Sequence, residues 1–185
     1  MQICLNLKIC ASALCLALYL IVPAVFANNI SQQTLNKHHQ EYLIIDVRSK
    51  LEFDVLHITG AYHVPMSNQG FEIRVKQLCS NQCKIVTYCN GDTCKKSVQA
   101  AERLRKAGMQ QVFAYTGGIF SWARSYPEKT VLLNNQPAKL ANLLPEEKYR
   151  EHLLPVEGFF NKALESNSVI VDVRDNLQCE ANSLA

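Results

Sequence analysis

The chain has 185 residues, of which 48% are hydrophobic and 19% are charged, and its formal net charge is +3 at pH 7. This length and composition fit one globular domain of about 100 residues together with a further segment. The net charge is too small to indicate a nucleic-acid-binding protein.

Residues 1–27 form the one strongly biased segment of the sequence. They contain a single lysine, Lys8, and no acidic residue, and an apolar run is followed by Pro23 and by small residues up to Ala27. This order predicts a secretory signal peptide that is cleaved after Ala27, and a mature protein that is periplasmic or secreted and free of the membrane. The alternative is a retained membrane anchor, because the apolar run is near the lower limit for spanning a bilayer.

Cleavage would remove three of the eight cysteines and leave Cys79, Cys83, Cys89, Cys94 and Cys179. An exported protein meets an oxidising compartment, where pairs of thiols tend to become disulfides. Cys79 and Cys83 flank a tight turn and are a candidate disulfide. Cys89 and Cys94 can also pair, and that bond would silence both sulfurs unless a periplasmic thiol reductant acts.

The first elements of the mature chain are a lead-in and a buried strand. Residues 28–40 are polar and rich in turn formers, which indicates a loosely ordered N-terminal segment with a short helix. Residues 42–48 give a nearly continuous apolar run that ends in a charged pair, typical of a strand buried on both faces of a parallel sheet. Ser49 is placed to cap a short helix that follows.

Residues 84–108 combine a strand, a thiol and a helix. Residues 84–88 are expected to form a buried strand, after which Cys89 opens a small polar loop that also contains Cys94. A helix over about 97–107 ends at a glycine. A strand therefore delivers a thiol into a loop whose far end is a helix N-terminus.

This arrangement is typical of a reactive cysteine. Loop N–H groups and the positive end of the helix dipole stabilise an anion at Cys89. The ammonium groups of Lys95 and Lys96 are expected to lower the thiol pKa further, toward the nucleophilic thiolate. The alternative is an inert core residue, because cysteine is among the most buried residue types.

The remaining segments complete an alternation of strands and helices. A helix is expected over 71–78, a strand over 111–115, and a last helix that starts at Gly117-Gly118 and buries Trp122. Such alternation predicts an α/β fold, with a parallel sheet flanked by helices on both faces. Cys89 then lies at the carboxyl end of a strand, where sheets of this kind place their sites.

Several separated motifs resemble the rhodanese (sulfurtransferase) family. They are Asp46-Val47-Arg48, Glu52-Phe53, His57-Ile58-x-Gly60-Ala61, Val64-Pro65 and the segment from Gly117-Gly118 to Trp122. The resemblance implies a rhodanese domain over residues 41–127. It also implies that Asp46, Arg48 and His57 support the fold and the active-site loop without performing the chemistry.

The activity that the resemblance implies is persulfide transfer. Cys89 would attack the outer sulfur of a small anionic donor such as thiosulfate, displace sulfite, and pass the sulfur to cyanide or a thiol acceptor. No cofactor and no metal is implied. The substrate-binding loop that would stabilise the developing charge consists of Asn90, Gly91, Asp92, Thr93, Cys94, Lys95 and Lys96.

The loop departs from the commonest rhodanese pattern, in which an arginine and a serine follow the cysteine within a few positions. Here Cys94 stands in place of the arginine, and the serine is Ser97. This Cys-Asn-Gly-x-x-Cys form is similar to that of a subset of exported bacterial rhodanese-like proteins. Cys94 is therefore a candidate resolving thiol that forms a reversible disulfide with Cys89.

Three alternatives to a sulfurtransferase stay open. A stable disulfide between Cys89 and Cys94 would make the domain a redox or binding module. Phosphatases and arsenate reductases of related fold hold a tetrahedral oxyanion in a longer loop, but they clamp it with an arginine, which this loop lacks. A metal site made of Cys79, Cys83, Cys89 and Cys94 would have spacings that match no standard zinc site.

The sequence changes character past Pro127. Residues 128–155 indicate a linker with a short charged helix, and residues 156–185 start with another helix. An apolar strand pattern ending in Asp-Val-Arg then recurs, with Asp172 lying 126 positions after Asp46. Residues 156–185 thus resemble the start of a second rhodanese module, too short to build its own sheet. They represent either a truncated tandem repeat or an extra strand and helix docked on the first domain.

Overall fold

The computed structural model describes residues 28–79 and 82–172. The predicted signal peptide and Cys179 lie outside the described residues. Within the described ranges, no helix is both long enough and apolar enough to cross a bilayer.

Strands and helices alternate through most of the described chain. The strands are β1 (Tyr42–Asp46), β2 (Leu56–Ile58), β3 (Tyr62–His63), β4 (Lys84–Tyr88), β5 (Val112–Tyr115) and β6 (Thr130–Leu132). The helices are α1 (Gln32–Lys37), α2 (Lys50–Val55), α3 (Phe71–Leu78), α4 (Lys96–Lys106), α5 (Gly118–Ser125), α6 (Glu146–Arg150) and α7 (Val156–Ala163). Single 3-10 turns cover His39–Glu41, Pro127–Lys129 and Leu140–Asn142.

Four strands form a parallel sheet in the order β3-β1-β4-β5. Successive side chains on a strand point to opposite faces, so Ile44 and Val86 enter one hydrophobic cluster while Ile45 and Ile85 enter another. Helices α1 and α5 contribute buried residues to the first cluster, and α3 and α4 contribute to the second. The prediction of a parallel α/β sheet with helices on both faces is confirmed.

Helix α2 begins where the sequence predicts a cap. Ser49 Oγ accepts the N–H of Glu52, and the Glu52 carboxylate accepts the N–H of Ser49 (2.9 Å), which completes a capping box. Such a box satisfies two main-chain donors at the start of a helix and fixes the side chain of Glu52. That carboxylate also accepts a hydrogen bond from Asn90 in the thiol loop.

The domain extends beyond the predicted range 41–127 on both sides. Leu35 of α1 is fully buried, and the Ala114 N–H donates to the Asn28 carbonyl oxygen (2.9 Å), so the N-terminal segment is part of the fold. Past Pro127, β6 pairs antiparallel with β2. Ala138 is buried in the same cluster as Leu35. The segment predicted as a linker therefore begins inside the domain.

Cys79 and Cys83 form a disulfide that joins the end of α3 to the start of β4, with their Cα atoms 5.6 Å apart. Their sulfurs are bonded to each other, so the metal site of four cysteines loses two of its ligands. Disulfides persist in oxidising compartments, so this bond is consistent with an exported protein. Export itself stays a prediction. Cys89 and Cys94 are free thiols.

The C-terminal segment folds as two short helices, α6 and α7, without a strand over residues 168–172. Val169, Ile170 and Val171 are exposed by 86%, 61% and 73%. Within the described residues, 168–172 therefore do not dock on the first domain as an extra strand. Residues 173–185 lie outside the described residues, so the second rhodanese module stays a prediction.

Candidate active site

The candidate nucleophile follows directly after the central strand β4. Strand β4 lies between β1 and β5, and its last residue, Tyr88, pairs with Asp46 on one side and Tyr115 on the other. Cys89 is thus held at the carboxyl edge of the sheet. The N–H of Ile119 donates to the Cys89 carbonyl oxygen (3.0 Å), which ties the start of α5 to this position. Cys89 has no exposed surface.

The thiol of Cys89 faces a carbonyl group and a hydroxyl group. It donates to the Cys94 carbonyl oxygen, with a sulfur–oxygen distance of 3.2 Å, and lies 3.7 Å from Ser97 Oγ. Thr87 Oγ1 donates to the Ser97 carbonyl oxygen (2.7 Å) and fixes the first turn of α4 against β4. The loop is therefore closed over the sulfur of Cys89.

The two free thiols interact and perturb each other's protonation. The interaction with Cys94, together with burial, raises the pKa of the Cys89 thiol well above its ordinary value. The interaction with Cys89 lowers the pKa of Cys94 to about 6, against the opposing effect of burial. The prediction that the loop lowers the pKa of Cys89 is wrong for this closed arrangement, because the anion is placed on its neighbour.

The anion-stabilising groups of the loop act on Cys94. Main-chain hydrogen bonds from Lys96 and Asn90, and the charge of Lys96, contribute to lowering the pKa of Cys94. These are the kinds of donor that the sequence predicts for Cys89: loop amides, the start of a helix and a lysine. Cys94 is half-buried, so the thiolate lies nearer to solvent than Cys89 does.

We expect the alkylation of Cys94 by iodoacetamide to accelerate around pH 6 and to level off above about pH 7, because its pKa is lowered to about 6. An ordinary thiol, with a pKa of about 8.5, would accelerate up to about pH 9.5. Rates followed by peptide mass mapping measure this, and Cys89→Ala should shift the profile upward since it removes the interaction with Cys89. A wild-type rate that still climbs through pH 8 would contradict the assignment.

The rest of the predicted loop divides into two sets. The N–H of Cys94 donates to the Gly91 carbonyl oxygen (2.8 Å) and closes a tight turn. Asp92, Thr93 and Lys95 are exposed around that turn. Of the predicted loop residues, the structure therefore places Asn90 and Lys96 beside the Cys94 sulfur. Asp92, Thr93 and Lys95 border the solvent.

A buried ionic network holds the first residue of the loop. Asp46 and Arg48 are buried, and Arg48 donates to the Asp46 carboxylate through Nε (3.0 Å) and Nη2 (2.6 Å). Arg48 Nη1 donates to Asn90 Oδ1 (3.1 Å), and Asn90 Nδ2 donates to Glu52 Oε1 (2.6 Å). Asn90, one position after Cys89, is thereby held between Arg48, which follows β1, and Glu52 of α2.

Glu52 is an ionised member of this network. Burial alone would raise the pKa of its carboxyl group, but hydrogen bonds from Ser49 and Asn90 and the charge of Arg48 outweigh burial and lower the pKa. His57, by contrast, stacks on Phe53 with ring centroids 4.0 Å apart, and its Nδ1 lies 2.7 Å from the Phe53 carbonyl oxygen. These contacts place His57 in the packing of α2 on β2.

Two positions that sequence reasoning did not assign to the site also shape it. Ser97 contacts the Cys89 sulfur. Gly118 has φ +69°, and a Cβ atom there would overlap the Asn90 carbonyl carbon and the Gly91 nitrogen. The Gly117-Gly118 pair was the available signal, since consecutive glycines often mark a close approach of two backbones.

Comparison with known proteins places this arrangement in a family. The model for the rhodanese-like domain matches residues 30–125 of the chain. The chain belongs to the rhodanese-like domain family. The match starts near α1, in agreement with the packing of the N-terminal segment into the fold.

Relatives of this rhodanese-like domain are only partly covered by the chain. An uncharacterized protein of Synechocystis, slr1261, is 32% identical over 114 residues, which are 60% of this chain and 60% of that protein. The probable adenylyltransferase/sulfurtransferase MoeZ of Mycobacterium tuberculosis is 30% identical over 89 residues, which are 48% of this chain and 22% of MoeZ. The chain thus spans less than two thirds of either relative.

The fold of the domain has solved counterparts. The BH2092 protein of Bacillus halodurans superimposes with a TM-score of 0.52 at 21% sequence identity, covering 68% of this chain and 90% of that one. At this identity the likeness supports the rhodanese-like fold alone.

Two surface grooves lie at the opposite end of the sheet from the thiols. Their volumes are about 500 Å³ and 340 Å³, and both are lined by residues where α4 ends and β5 approaches, such as Gly108 and Met109. The thiol loop contributes to neither.

Proposed function

We propose that this domain is a sulfurtransferase in which Cys89 carries a sulfane sulfur as a persulfide. The donor is a small anion such as thiosulfate, and the acceptor is a thiol or cyanide. The single observation that carries the proposal is the placement of Cys89 at the carboxyl end of β4, against the first turn of α4 and beside a second thiol. The sulfurtransferase part of the name of MoeZ, a relative at 30% identity, supports the same chemistry.

The neighbouring thiolate supplies the base that Cys89 needs. Since the charge rests on Cys94, the Cys89 proton passes to Cys94 as Cys89 attacks the outer sulfur of thiosulfate. The sulfur–sulfur bond of thiosulfate breaks and its electron pair leaves with sulfite. A general base in hydrogen-bond contact is the usual way to activate a nucleophile of high pKa.

Loading requires the loop to open. Cys89 has no exposed surface while its thiol donates to the Cys94 carbonyl oxygen. Movement of residues 91–94 would break that bond and expose the sulfur, while the buried network keeps Asn90 in place. Lys95 and Lys96 at the start of α4 then attract the anionic donor.

The test is sulfite release from thiosulfate by the reduced chain with cyanide as acceptor. We expect release by the wild type and none by Cys89→Ser. Cys83→Ser is the matched control, because it removes a cysteine outside the loop and should retain the activity. A Cys89→Ser chain as active as the wild type, or a folded wild type that releases no sulfite, would refute the proposal.

A second candidate function is a thiol redox module, favoured by the placement of two free thiols in one loop, with the Cys89 sulfur 3.2 Å from the Cys94 carbonyl oxygen. A redox module would release no sulfite from thiosulfate in either its reduced or its disulfide form. The oxyanion enzymes fit less well, because they need a guanidinium free to clamp the substrate. Arg48, which contacts the loop through Asn90, is already bound to Asp46 and to the Leu56 carbonyl oxygen.

A further inference from the structure

We propose that the two loop thiols reduce the transferred sulfur and release it as hydrogen sulfide. Once Cys89 carries a persulfide, Cys94 attacks Cys89 Sγ, a Cys89–Cys94 disulfide forms, and the outer sulfur leaves. A dithiol reductant then restores both thiols. This inference rests on the proposed sulfurtransferase function and adds a second product to it.

The first support is contact. Both cysteines are free thiols, and the Cys89 sulfur lies 3.2 Å from the Cys94 carbonyl oxygen. The turn closed by the Cys94 N–H and the Gly91 carbonyl oxygen, together with the bond from Cys89 to the Cys94 carbonyl oxygen, holds the two residues together. An attacking group that is already in contact reacts with a large advantage over a group that must diffuse in.

The second support is the burial of the persulfide-bearing residue. With the loop closed, Cys89 has no exposed surface, so an external acceptor is excluded from Cys89 Sγ. Cys94 is the reactive thiol that remains inside the closed loop. Internal attack by Cys94 is therefore favoured over transfer to a bulky acceptor.

The third support is the electrostatic environment of the attacking sulfur. Main-chain hydrogen bonds from Asn90 and Lys96 and the charge of Lys96 favour a thiolate at Cys94. The thiolate is the form that attacks a sulfur–sulfur bond. Ser97, which contacts Cys89 Sγ, offers a hydroxyl group beside the bond that breaks.

The step balances in atoms and electrons. Cys94 gives its proton to the outer persulfide sulfur and forms a bond to Cys89 Sγ. The bond between Cys89 Sγ and the outer sulfur breaks, and its electron pair leaves with that sulfur as HS⁻. The two cysteine sulfurs are oxidised to a disulfide, and the sulfane sulfur is reduced by two electrons. The dithiol reductant later supplies two electrons and two protons to the disulfide.

The test is a single turnover with thiosulfate, without cyanide and without added reductant. The chain is first reduced and freed of reductant, and then sulfite, sulfide and remaining thiols are measured. We expect sulfite and sulfide in equal amounts and the loss of two thiols per chain. Because Cys94→Ser also removes the base that serves Cys89, this variant is measured at about pH 9, where an exposed thiol ionises unaided once the loop opens. It should release sulfite more slowly than the wild type, release no sulfide, and keep the sulfur. Cys83→Ser is the control and should behave as the wild type does.

The outcomes separate the two proposals. Sulfite without sulfide from the wild type would overturn the sulfide-releasing step and leave the sulfurtransferase proposal standing. Equal sulfide from Cys94→Ser and the wild type would also overturn this step, because another thiol would then be responsible. Absence of sulfite from the wild type would overturn the sulfurtransferase proposal itself.

Discussion

Gly118→Ala should be among the most damaging single substitutions in the domain. Gly118 has φ +69°, a conformation that costs a residue with a side chain about 1–2 kcal/mol. The added Cβ would also overlap the Asn90–Gly91 peptide, and forced overpacking costs about 1–3 kcal/mol more. We expect the free energy of unfolding, measured by urea denaturation, to fall by about 2–5 kcal/mol, the sum of both effects.

Gly60→Ala is the matched control for this prediction. Gly60 also has a positive φ, +76°, but a Cβ atom there meets nothing within 4 Å. Its cost should therefore be the conformational part alone, about 1–2 kcal/mol. Where Gly118→Ala still folds, sulfite release should be reduced because the loop is displaced. An equal loss of unfolding free energy in Gly118→Ala and Gly60→Ala would show that the start of α5 is not in close contact with the backbone of the thiol loop.

Asp46→Asn should have an effect of similar size for a different reason. Asp46 is fully buried and neutralises Arg48, whose side chain is 3% exposed. The amide has nearly the same shape, but it leaves a buried guanidinium without its counter-ion. Removing one partner of a buried pair costs about 3–5 kcal/mol. Because Arg48 also holds Asn90, the variant should loosen the loop next to Cys89.

Asp54→Asn provides the same chemical change at an exposed pair. Asp54 and Lys50 are joined on the surface of α2, with side chains 51% and 71% exposed. Exposed pairs of this kind contribute about 0.3–0.5 kcal/mol. Urea denaturation of Asp46→Asn and Asp54→Asn measures the free energy of unfolding that each ion pair contributes. If Asp46→Asn costs no more than Asp54→Asn, the buried network does not support the loop.

Local patterns predicted the central sheet well. The apolar run before Cys89 and the spacing of Phe71, Val75 and Leu78 gave β4 and α3 with the bounds that the structure shows. In these segments burial and local propensity agree. Strand β6 was missed, because each strand of the β2–β6 pair has three residues and the pairing joins distant parts of the chain.

Sequence patterns located the two loop thiols of the candidate site, but they did not predict which of the two sulfurs has the lowered pKa. The strand, the loop and the helix start located both thiols. Which sulfur receives the amide hydrogen bonds depends on the turn between Gly91 and Cys94 and on the contact of Cys89 with the Cys94 carbonyl oxygen. Neither feature has a signature in residue spacing. The sequence therefore assigned to Cys89 a stabilisation that the structure gives to Cys94.

The most direct test of the central claim is mass spectrometry of the reduced Cys94→Ser chain after prolonged treatment with thiosulfate at about pH 9, where Cys89 ionises without Cys94 as its base once the loop opens. This variant lacks the thiol that would remove the sulfur, so the persulfide should accumulate. We expect one added sulfur atom per chain, which fragmentation of the peptide 85–95 assigns to Cys89. A folded variant that gains no sulfur, or gains it on another cysteine, would contradict the account.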